Sequence, residues 1–354
     1  MTKALLPTGF RDRLPPEADA SARLVRSVLD TVASYGYERV QTPLAEYEAS
    51  LTAALGTSSR DLLRFVDPVS GETMAIRSDI TGQIGRIARG RMGHHPRPLR
   101  LSYGGPVVTL RATQLRPERE LMQVGAELIG LDSVAAVAEV VTVAIESLKN
   151  AGARDLTLDL TMPDLIDTLL PGADTADLKA RLDAKDAAAV PDAFRPLIAA
   201  AGPYAEASAR LRAFDKKGVL TARLDALDAL VAILPADVRV TLDPTERHGF
   251  EYQSWFGFSL FSAQCSGEIA RGGSYRLGEE PAIGFSAYID PLIDAGLAQG
   301  ERRRLFLPLG TLPSKAAALR AEGWVTVSAL SEDDTAEAQI CSHILSNGRA
   351  VPTD

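Results

Sequence analysis

The sequence predicts an α+β fold in which an antiparallel sheet is flanked by helices and carries a helical insertion and a short C-terminal β/α appendage. Three observations predict it. Residues 118–128 alternate in polarity with the period of two that is typical of a strand. Residues 152–236 are rich in alanine, leucine and aspartate, with apolar positions at helical spacing. The remaining residues alternate between strand and helix patterns, so we expect a core at 1–300 and an appendage at 301–354.

The first predicted helix covers residues 20–35, because apolar side chains recur along one stripe and Gly36 can end it. Segments 62–66 and 73–77 flank a turn sequence, which predicts a hairpin. A short helix is expected over 81–90. The polar residues before it are interpreted either as helix caps or as ligand contacts, since both roles use the same acceptor geometry.

Further strands are expected around Leu99, Val107 and Gln123, followed by a helix over 133–148. Prolines interrupt the helical insertion at 152–236. The pattern of the appendage predicts strands 305–308, 324–327 and 343–346 and helices 314–322 and 334–340.

The strand pattern at 118–128 gathers polar side chains on one face. Arg119, Gln123 and Glu127 share that face, and Gly125 between them lets a ligand approach the backbone. Carboxylate and amide oxygens accept hydrogen bonds from an ammonium group, and a guanidinium binds a carboxylate. The pattern therefore indicates a binding surface for a zwitterionic amino acid. The alternative is an ordinary solvated face of an antiparallel sheet.

Composition narrows the class of protein. The 354 residues include 38 basic and 46 acidic side chains, a net charge of −8, with a pI near 5.2. An acidic surface with one short cationic run, residues 302–304, argues against a large nucleic-acid footprint. The chain can bury a full core, because 46% of it is hydrophobic.

Cofactor and membrane signals are not found. Cys265 and Cys341 lie far apart without metal-ligand spacing, and neither common glycine-rich phosphate loop occurs. No apolar run approaches the ~20 residues that span a bilayer, and no N-terminal apolar signal segment precedes the chain. We expect a cytoplasmic, reduced protein with no metal, no cofactor and no membrane association.

The segment 105–130 resembles motif 2 of class II aminoacyl-tRNA synthetases, in particular of histidyl-tRNA synthetases. Gly105-Pro106 and the run 123–130, QVGAELIG, match that motif. Other stretches are similar to the family's opening segment, motif 1, histidine loop, tyrosine-containing blocks and motif 3, at 7–17, 36–46, 77–81, 248–254, 270–275 and 281–291. The resemblance implies a class II synthetase-like sheet over most of residues 1–300.

The resemblance also implies a histidine pocket. The histidine-binding candidates are eight. Carried onto this chain, the family's pattern gives Asp79, Thr81, Gln123, Glu127, His248, Tyr252 and Tyr275, and the strand pattern at 118–128 adds Arg119. It gives no catalytic residue. Thr109 and Arg111 stand where the family's motif 2 has an arginine and a glutamate for ATP, and Pro291 stands where motif 3 has an arginine. Neither a hydroxyl nor a proline replaces a guanidinium on a phosphate.

This combination resembles the regulatory paralogues of histidyl-tRNA synthetase that act with a short-form ATP phosphoribosyltransferase in histidine biosynthesis. The resemblance implies a non-catalytic homodimer within a hetero-oligomer, with the short-form catalytic subunit as partner and histidine as feedback effector. The short appendage implies no tRNA binding. The alternatives are a divergent amino-acid-activating enzyme of the synthetase type and a scaffold with a decayed pocket.

Overall fold

The computed structural model describes residues 6–53, 59–110, 118–247, 253–300 and 303–353. The chain divides into two compact units, Met1–Ala298 and Gln299–Asp354. The helices are α1 Glu17–Ser34, α2 Glu48–Ala53, α3 Thr81–Gly90, α4 Val134–Asn150, α5 Leu165–Leu169, α6 Ala176–Asp183, α7 Arg195–Ala199, α8 Tyr204–Phe214, α9 Thr221–Ile233, α10 Asp290–Asp294 and α11 Pro313–Ala321.

The strands form three sheets. They are β1 Glu38–Arg39, β2 Ala45–Tyr47, β3 Leu63–Val66, β4 Thr73–Ile76, β5 Leu99–Val108, β6 Glu120–Ile129, β7 Leu156–Thr161, β8 Gly202–Pro203, β9 Arg239–Asp243, β10 Gln253–Ser262, β11 Glu268–Leu277, β12 Glu280–Tyr288, β13 Arg304–Leu307, β14 Val325–Ser328, β15 His343–Ser346 and β16 Arg349–Pro352.

A nine-stranded sheet organises the first unit, in the order β1-β5-β6-β12-β11-β10-β7-β9-β8. Its central pairs from β5 to β7 are antiparallel, whereas β1 with β5 and β7 with β9 are parallel. A second sheet, β2-β4-β3, contains the hairpin expected around residue 70. This arrangement confirms the predicted α+β fold class with a mainly antiparallel sheet.

Both faces of the central sheet are buried at β6. On one face Val124, Ala126 and Leu128 join the main hydrophobic core, together with apolar side chains of α1 and α4. On the other face Ile80 and Ile84 of the α3 region join a second cluster. The polar face predicted for residues 118–128 is therefore covered, and the alternative of a solvated sheet face is wrong.

Several helix boundaries agree with the sequence pattern. Helix α3 covers the expected residues 81–90, and α4 begins after Ser133, whose side chain accepts a hydrogen bond from Ala136 N. Helix α1 starts three residues earlier than the expected residue 20. Gly36 follows α1 with φ +82°, as expected of a residue that ends a helix.

The segment 152–236 is not helical throughout. Strand β7, Leu156–Thr161, lies inside this range and pairs with β10 and β9 in the sheet. Its leucines at 156, 158 and 160 are buried and alternate with more polar residues, which is a strand period of two. The alanine- and leucine-rich composition around it masked that signal.

The second unit has a four-stranded sheet in the order β14-β13-β15-β16, with α11 between β13 and β14 in the chain. The helix expected over 334–340 is a series of turns: Asp334 accepts from the backbone N–H groups of Leu330 and Ser331, and Ile340 has φ +51°. Strand β16 was not predicted, although Asn347-Gly348 before it is a strong hairpin signal.

Within the described ranges, no helix is both long enough and apolar enough to cross a bilayer. The same residues contain no group of three or more His, Cys, Asp or Glu side chains that could hold a metal ion.

Candidate functional site

A row of glycines crosses the central sheet beside Glu127. Glu127 of β6 pairs with Gly284 of β12, which pairs with Gly273 of β11, which pairs with Gly257 of β10, which pairs with Thr161 of β7. Directly paired residues project to the same side of a sheet. We call Gly284, Gly273 and Gly257 the glycine trough; Glu127 lies at one end and Thr161 at the other.

The Glu127 carboxylate is buried at the first end of the trough, with 1% of the residue exposed. The Tyr275 hydroxyl donates to its Oε2 at 2.7 Å, and the Tyr103 hydroxyl donates to its Oε1 at 3.1 Å. Burial raises the pKa of Glu127 to about 8, reinforced by the charge of Asp79 and opposed by the hydroxyl hydrogen bonds. A cation that bound here would favour the ionised carboxylate.

Gln123 links the sheet to the start of α3. Its Oε1 accepts from the backbone N–H of Ile80 at 3.0 Å, and its Nε2 donates to Asp79 Oδ2 at 2.8 Å and to Ser286 Oγ at 2.7 Å. Gln123 is fully buried. These bonds hold the amide in one orientation and bring the Asp79 loop against the sheet.

Asp79 has the capping role that the sequence left open, and it also contacts the polar residues beneath it. Its Oδ1 accepts from the backbone N–H of Thr81 at 2.6 Å, in the first turn of α3, while its Oδ2 accepts from Gln123. The Thr81 hydroxyl lies 3.2 Å from the Tyr103 hydroxyl, which in turn lies 2.9 Å from Ser286 Oγ. The acid therefore caps the helix and belongs to the polar cluster.

The cavity over the trough has a volume of about 20 Å³, room for about one water molecule. It is lined by Thr81, Glu127, Gln253, Arg271, Gly272, Gly273, Tyr275, Gly284, Phe285 and Ser286. The Gln253 amide fills much of the trough: its Oε1 would lie 2.5 Å from a Cβ on Gly257, and its Nε2 2.8 Å from a Cβ on Gly273.

Arg271 supplies a guanidinium to the wall of this cavity. It lies two residues before Gly273 on the same face of β11 and pairs across the sheet with Ser286. Its Nε also donates to Glu268 Oε1 at 2.5 Å. The site thus contains carboxylates and a cation, the complement of a zwitterion.

The structure brings together Asp79, Thr81, Gln123, Glu127 and Tyr275 of the predicted site residues. It does not bring Arg119 to this group: the Arg119 guanidinium stacks on the Phe10 ring and donates to Thr109 O at 3.1 Å. His248 and Tyr252 lie outside the described residues, as does Arg111.

Four residues of the site were not among the candidates from the sequence: Gln253, Arg271 and Ser286, which line the cavity, and Tyr103, which donates to Glu127. Alternation carried a signal for one of them, because Arg271 has the same strand parity as Gly273 and Tyr275. The others are set by cross-strand register, which a single sequence does not give.

Thr109 and Pro291, which the resemblance singled out, have structural contacts in this chain. Thr109 follows β5, and its backbone N–H donates to Arg119 O at 2.8 Å. Pro291 occupies the first turn of α10 beside Asp290, a buried acid that accepts from Met122 N at 2.8 Å and pairs with Arg13. The loss of a backbone N–H at Pro291 is tolerated in the first turn of a helix.

The family model and the curated relatives that match this chain agree on its family. Residues 9–292 match the family model of histidyl-tRNA synthetase. A protein of Rhodospirillum centenum called ATP phosphoribosyltransferase regulatory subunit is 43% identical, over 98% of this chain and 95% of its own. A protein of Paramagnetospirillum magneticum with the same name is 42% identical, over 96% of this chain and 93% of its own.

Solved structures share the fold. One from Bacillus halodurans, described as an ATP phosphoribosyltransferase regulatory subunit/histidyl-tRNA synthetase, superposes with a TM-score of 0.82 at 23% identity, covering 96% of each chain. Histidyl-tRNA synthetase from Nostoc sp. gives a TM-score of 0.77 at 16% identity, covering 97% of this chain and 91% of the other. At these identities the likeness concerns the fold alone.

Proposed function

Because this chain belongs to the ATP phosphoribosyltransferase regulatory subunit family, with a histidyl-tRNA synthetase fold, we propose that it binds histidine over the glycine trough and transmits feedback inhibition to a short-form catalytic subunit. Membership of the family implies a role in histidine biosynthesis and a separate catalytic subunit. The proposal adds the effector, its site and the form of the partner. The observation that carries it is the buried Glu127 carboxylate, whose hydrogen-bond donors Tyr103 and Tyr275 are uncharged.

An amino acid supplies the charges that this site complements. Its ammonium group would bind Glu127, with Asp79 and Gln123 close by, and gain charge-assisted hydrogen bonds in a site shielded from water. Its carboxylate would bind Arg271, which takes the role that the sequence suggested for Arg119. His248 and Tyr252 remain proposed contacts on the resemblance of residues 248–254.

We propose that the chain does not activate the bound amino acid. Formation of an adenylate requires cations on the ATP phosphates, and removal of one preorganised donor can cost ~2.7–4 kcal/mol. Thr109 and Pro291 stand where the synthetases have arginines, and neither side chain is cationic. The nearby Arg13 is already paired with Asp290.

The proposed assembly is a homodimer within a hetero-oligomer. The small sheet β2-β4-β3 exposes Tyr47 and Phe65, at 46 and 41%, and both residues pair with Met74 of β4 on the same face. An exposed apolar cluster of this kind is suited to a protein interface, and it adjoins the segment that resembles motif 1. We propose no tRNA partner, because the second unit has only four short strands and one helix among its described residues.

Calorimetry with histidine tests the proposal. The wild-type protein is expected to bind, and Glu127→Gln, which keeps the shape but removes the charge, is expected to weaken binding by about tenfold or more. ATP–pyrophosphate exchange with histidine is expected to give no signal. Robust exchange would instead identify an amino-acid-activating enzyme, and unchanged affinity in Glu127→Gln would place the effector elsewhere.

A further inference from the structure

Arg271 and Glu268 form an ion pair that the regular geometry of a strand would prevent. The two residues are three apart on β11, so in an unbroken strand their side chains would project to opposite faces of the sheet. Arg271 Nε nevertheless donates to Glu268 Oε1 at 2.5 Å. The alternation of side chains along β11 must therefore be interrupted between the two residues.

A β-bulge at Ile269 interrupts the alternation. Leu260 of β10 pairs with Ala270, whereas the next residue of β10, Phe261, pairs with Glu268, so that Ile269 is the extra residue on β11. Ile269 and Ala270 both join the main hydrophobic core. Bulges of this kind aim the side chain beyond them to the other face. The bulge thus brings Glu268 to the face of the sheet that carries Arg271 and the glycine trough.

Glu268 is itself held in place by a neighbouring strand. The residue is 8% exposed, and its Oε2 accepts from Ser259 Oγ at 2.7 Å. Ser259 is fully buried and pairs directly with Arg271 across the sheet. A carboxylate bonded through both oxygens has few orientations, so it restricts the guanidinium that donates to it.

This restriction matters for the proposed carboxylate contact. An arginine side chain carries about 2 kcal/mol of rotamer entropy, part of which is lost when it binds a ligand. A guanidinium has five N–H groups, so one can bind Glu268 while others bind a ligand. Arg271, which lines the cavity over the trough, is therefore oriented before the ligand arrives.

Charge and orientation act in opposite directions in this pair. The negative charge of Glu268 repels the carboxylate of an amino acid bound at Arg271. Its hydrogen bond to Arg271 favours the same carboxylate, because the guanidinium is already in place. A buried acid beside the proposed carboxylate contact is thus explained by orientation and opposed by charge.

We propose that Glu268 is a positioning residue, which the bulge at Ile269 brings to Arg271 so that the guanidinium is held over the glycine trough for the carboxylate of the amino acid. The inference rests on the proposed function, since it takes the amino acid to bind over the trough with its carboxylate on Arg271.

Two substitutions of Glu268 separate orientation from charge. Glu268→Gln removes the charge but keeps an oxygen that can accept from Arg271 and an amide group that can bond to Ser259. Glu268→Met removes the charge and both acceptors at a similar volume. In calorimetry, Glu268→Gln is expected to bind histidine at least as tightly as the wild-type protein, and Glu268→Met about tenfold more weakly. Histamine, which has no carboxylate, is expected to bind all three proteins nearly equally.

Glu139 supplies the matched control. Its carboxylate also pairs with an arginine, accepting from Arg100 at 2.7 and 2.8 Å. Arg100 pairs with Leu128 and Leu101 with Glu127, so this ion pair lies on the face of the sheet opposite to the trough. Glu139→Gln and Glu139→Met should leave the affinities for histidine and histamine unchanged.

Ser259→Ala covers the case in which Glu268→Met does not fold. It removes one oxygen and with it the second hydrogen bond of Glu268, and it is expected to weaken histidine binding about threefold without an effect on histamine. Wild-type affinity for histidine in the folded variants, equal losses for histidine and histamine, or an equal loss in Glu268→Gln and Glu268→Met would overturn the positioning role alone. Failure of the wild-type protein to bind histidine would overturn the proposed function and the positioning role together.

Discussion

The Glu127 carboxylate lies against the backbone of Gly284, in the space that a side chain at position 284 would fill. Strands β6 and β12 pair these two residues directly. The missing side chain is thus what allows an acid from one strand to reach over its neighbour. The charged end of the candidate site depends on this pair.

Gly284→Ala is expected to displace the Glu127 side chain and to abolish histidine binding, because a Cβ would overlap its carboxylate. Overpacking of this kind costs about 1–3 kcal/mol of unfolding free energy. Gly90→Ala is the control, since a Cβ there meets no atom within 4 Å. Denaturant unfolding and calorimetry would check both variants, and full histidine affinity in Gly284→Ala would show that Glu127 is not a ligand contact.

The raised pKa of Glu127 predicts a pH dependence of stability. Its carboxyl has a pKa of about 8 in the folded protein against an ordinary value of 4.5, so the folded chain holds a proton that the unfolded chain releases. The contribution of the Glu127 proton to the unfolding free energy is complete below pH 4.5. It is lost as the pH rises toward 8, at a rate of at most about 1.4 kcal/mol per pH unit.

Glu127→Gln removes this titration. The measurement is urea unfolding between pH 5 and 8 without added amino acid. As the pH rises, the unfolding free energy of the wild-type protein is expected to fall relative to that of Glu127→Gln. A constant difference between the two proteins across this range would show that burial does not perturb the Glu127 carboxyl.

Asp79 allows its helix-capping role to be separated from a ligand role. Asn is about as good as Asp at accepting hydrogen bonds from first-turn N–H groups, so Asp79→Asn is expected to keep the stability of α3 but to weaken histidine binding several-fold through loss of charge. Asp79→Ala is expected to lose both, with a stability cost of about 1 kcal/mol. Equal histidine affinity in the wild-type protein and Asp79→Asn would assign Asp79 to capping alone.

Arg271 is expected to bind the carboxylate of the amino acid. Arg271→Gln should therefore weaken the binding of histidine and leave the binding of histamine, which has no carboxylate, nearly unchanged. Arg119→Gln is the comparison variant, because the Arg119 side chain lies on Phe10. Calorimetry that showed the larger effect at Arg119 would restore the assignment suggested by the sequence.

Local patterns predicted the elements around the site well. The spacing of apolar residues gave α3 over 81–90, and alternation placed Gln123 and Glu127 on one face of β6. Whether that face was solvated depended on the packing of Ile80 and Ile84 against it, which follows from tertiary structure.

The trough itself could not be predicted. Its glycines come from three strands, and their alignment is a matter of cross-strand register. Thr161 was hidden for a further reason, because its strand lies in a segment whose composition is typical of helices. Partners of Glu127 such as Tyr103 likewise come from another strand, at a register that spacing along the chain does not reveal.

The most direct measurement is the rate of a short-form ATP phosphoribosyltransferase catalytic subunit mixed with this chain, with and without histidine. We expect the wild-type chain to raise the rate and histidine to lower it again. Glu127→Gln should raise the rate equally but respond to histidine only at about tenfold or more higher concentration. A rate that the chain left unchanged, or inhibition of both complexes at the same histidine concentration, would contradict a regulatory role through Glu127.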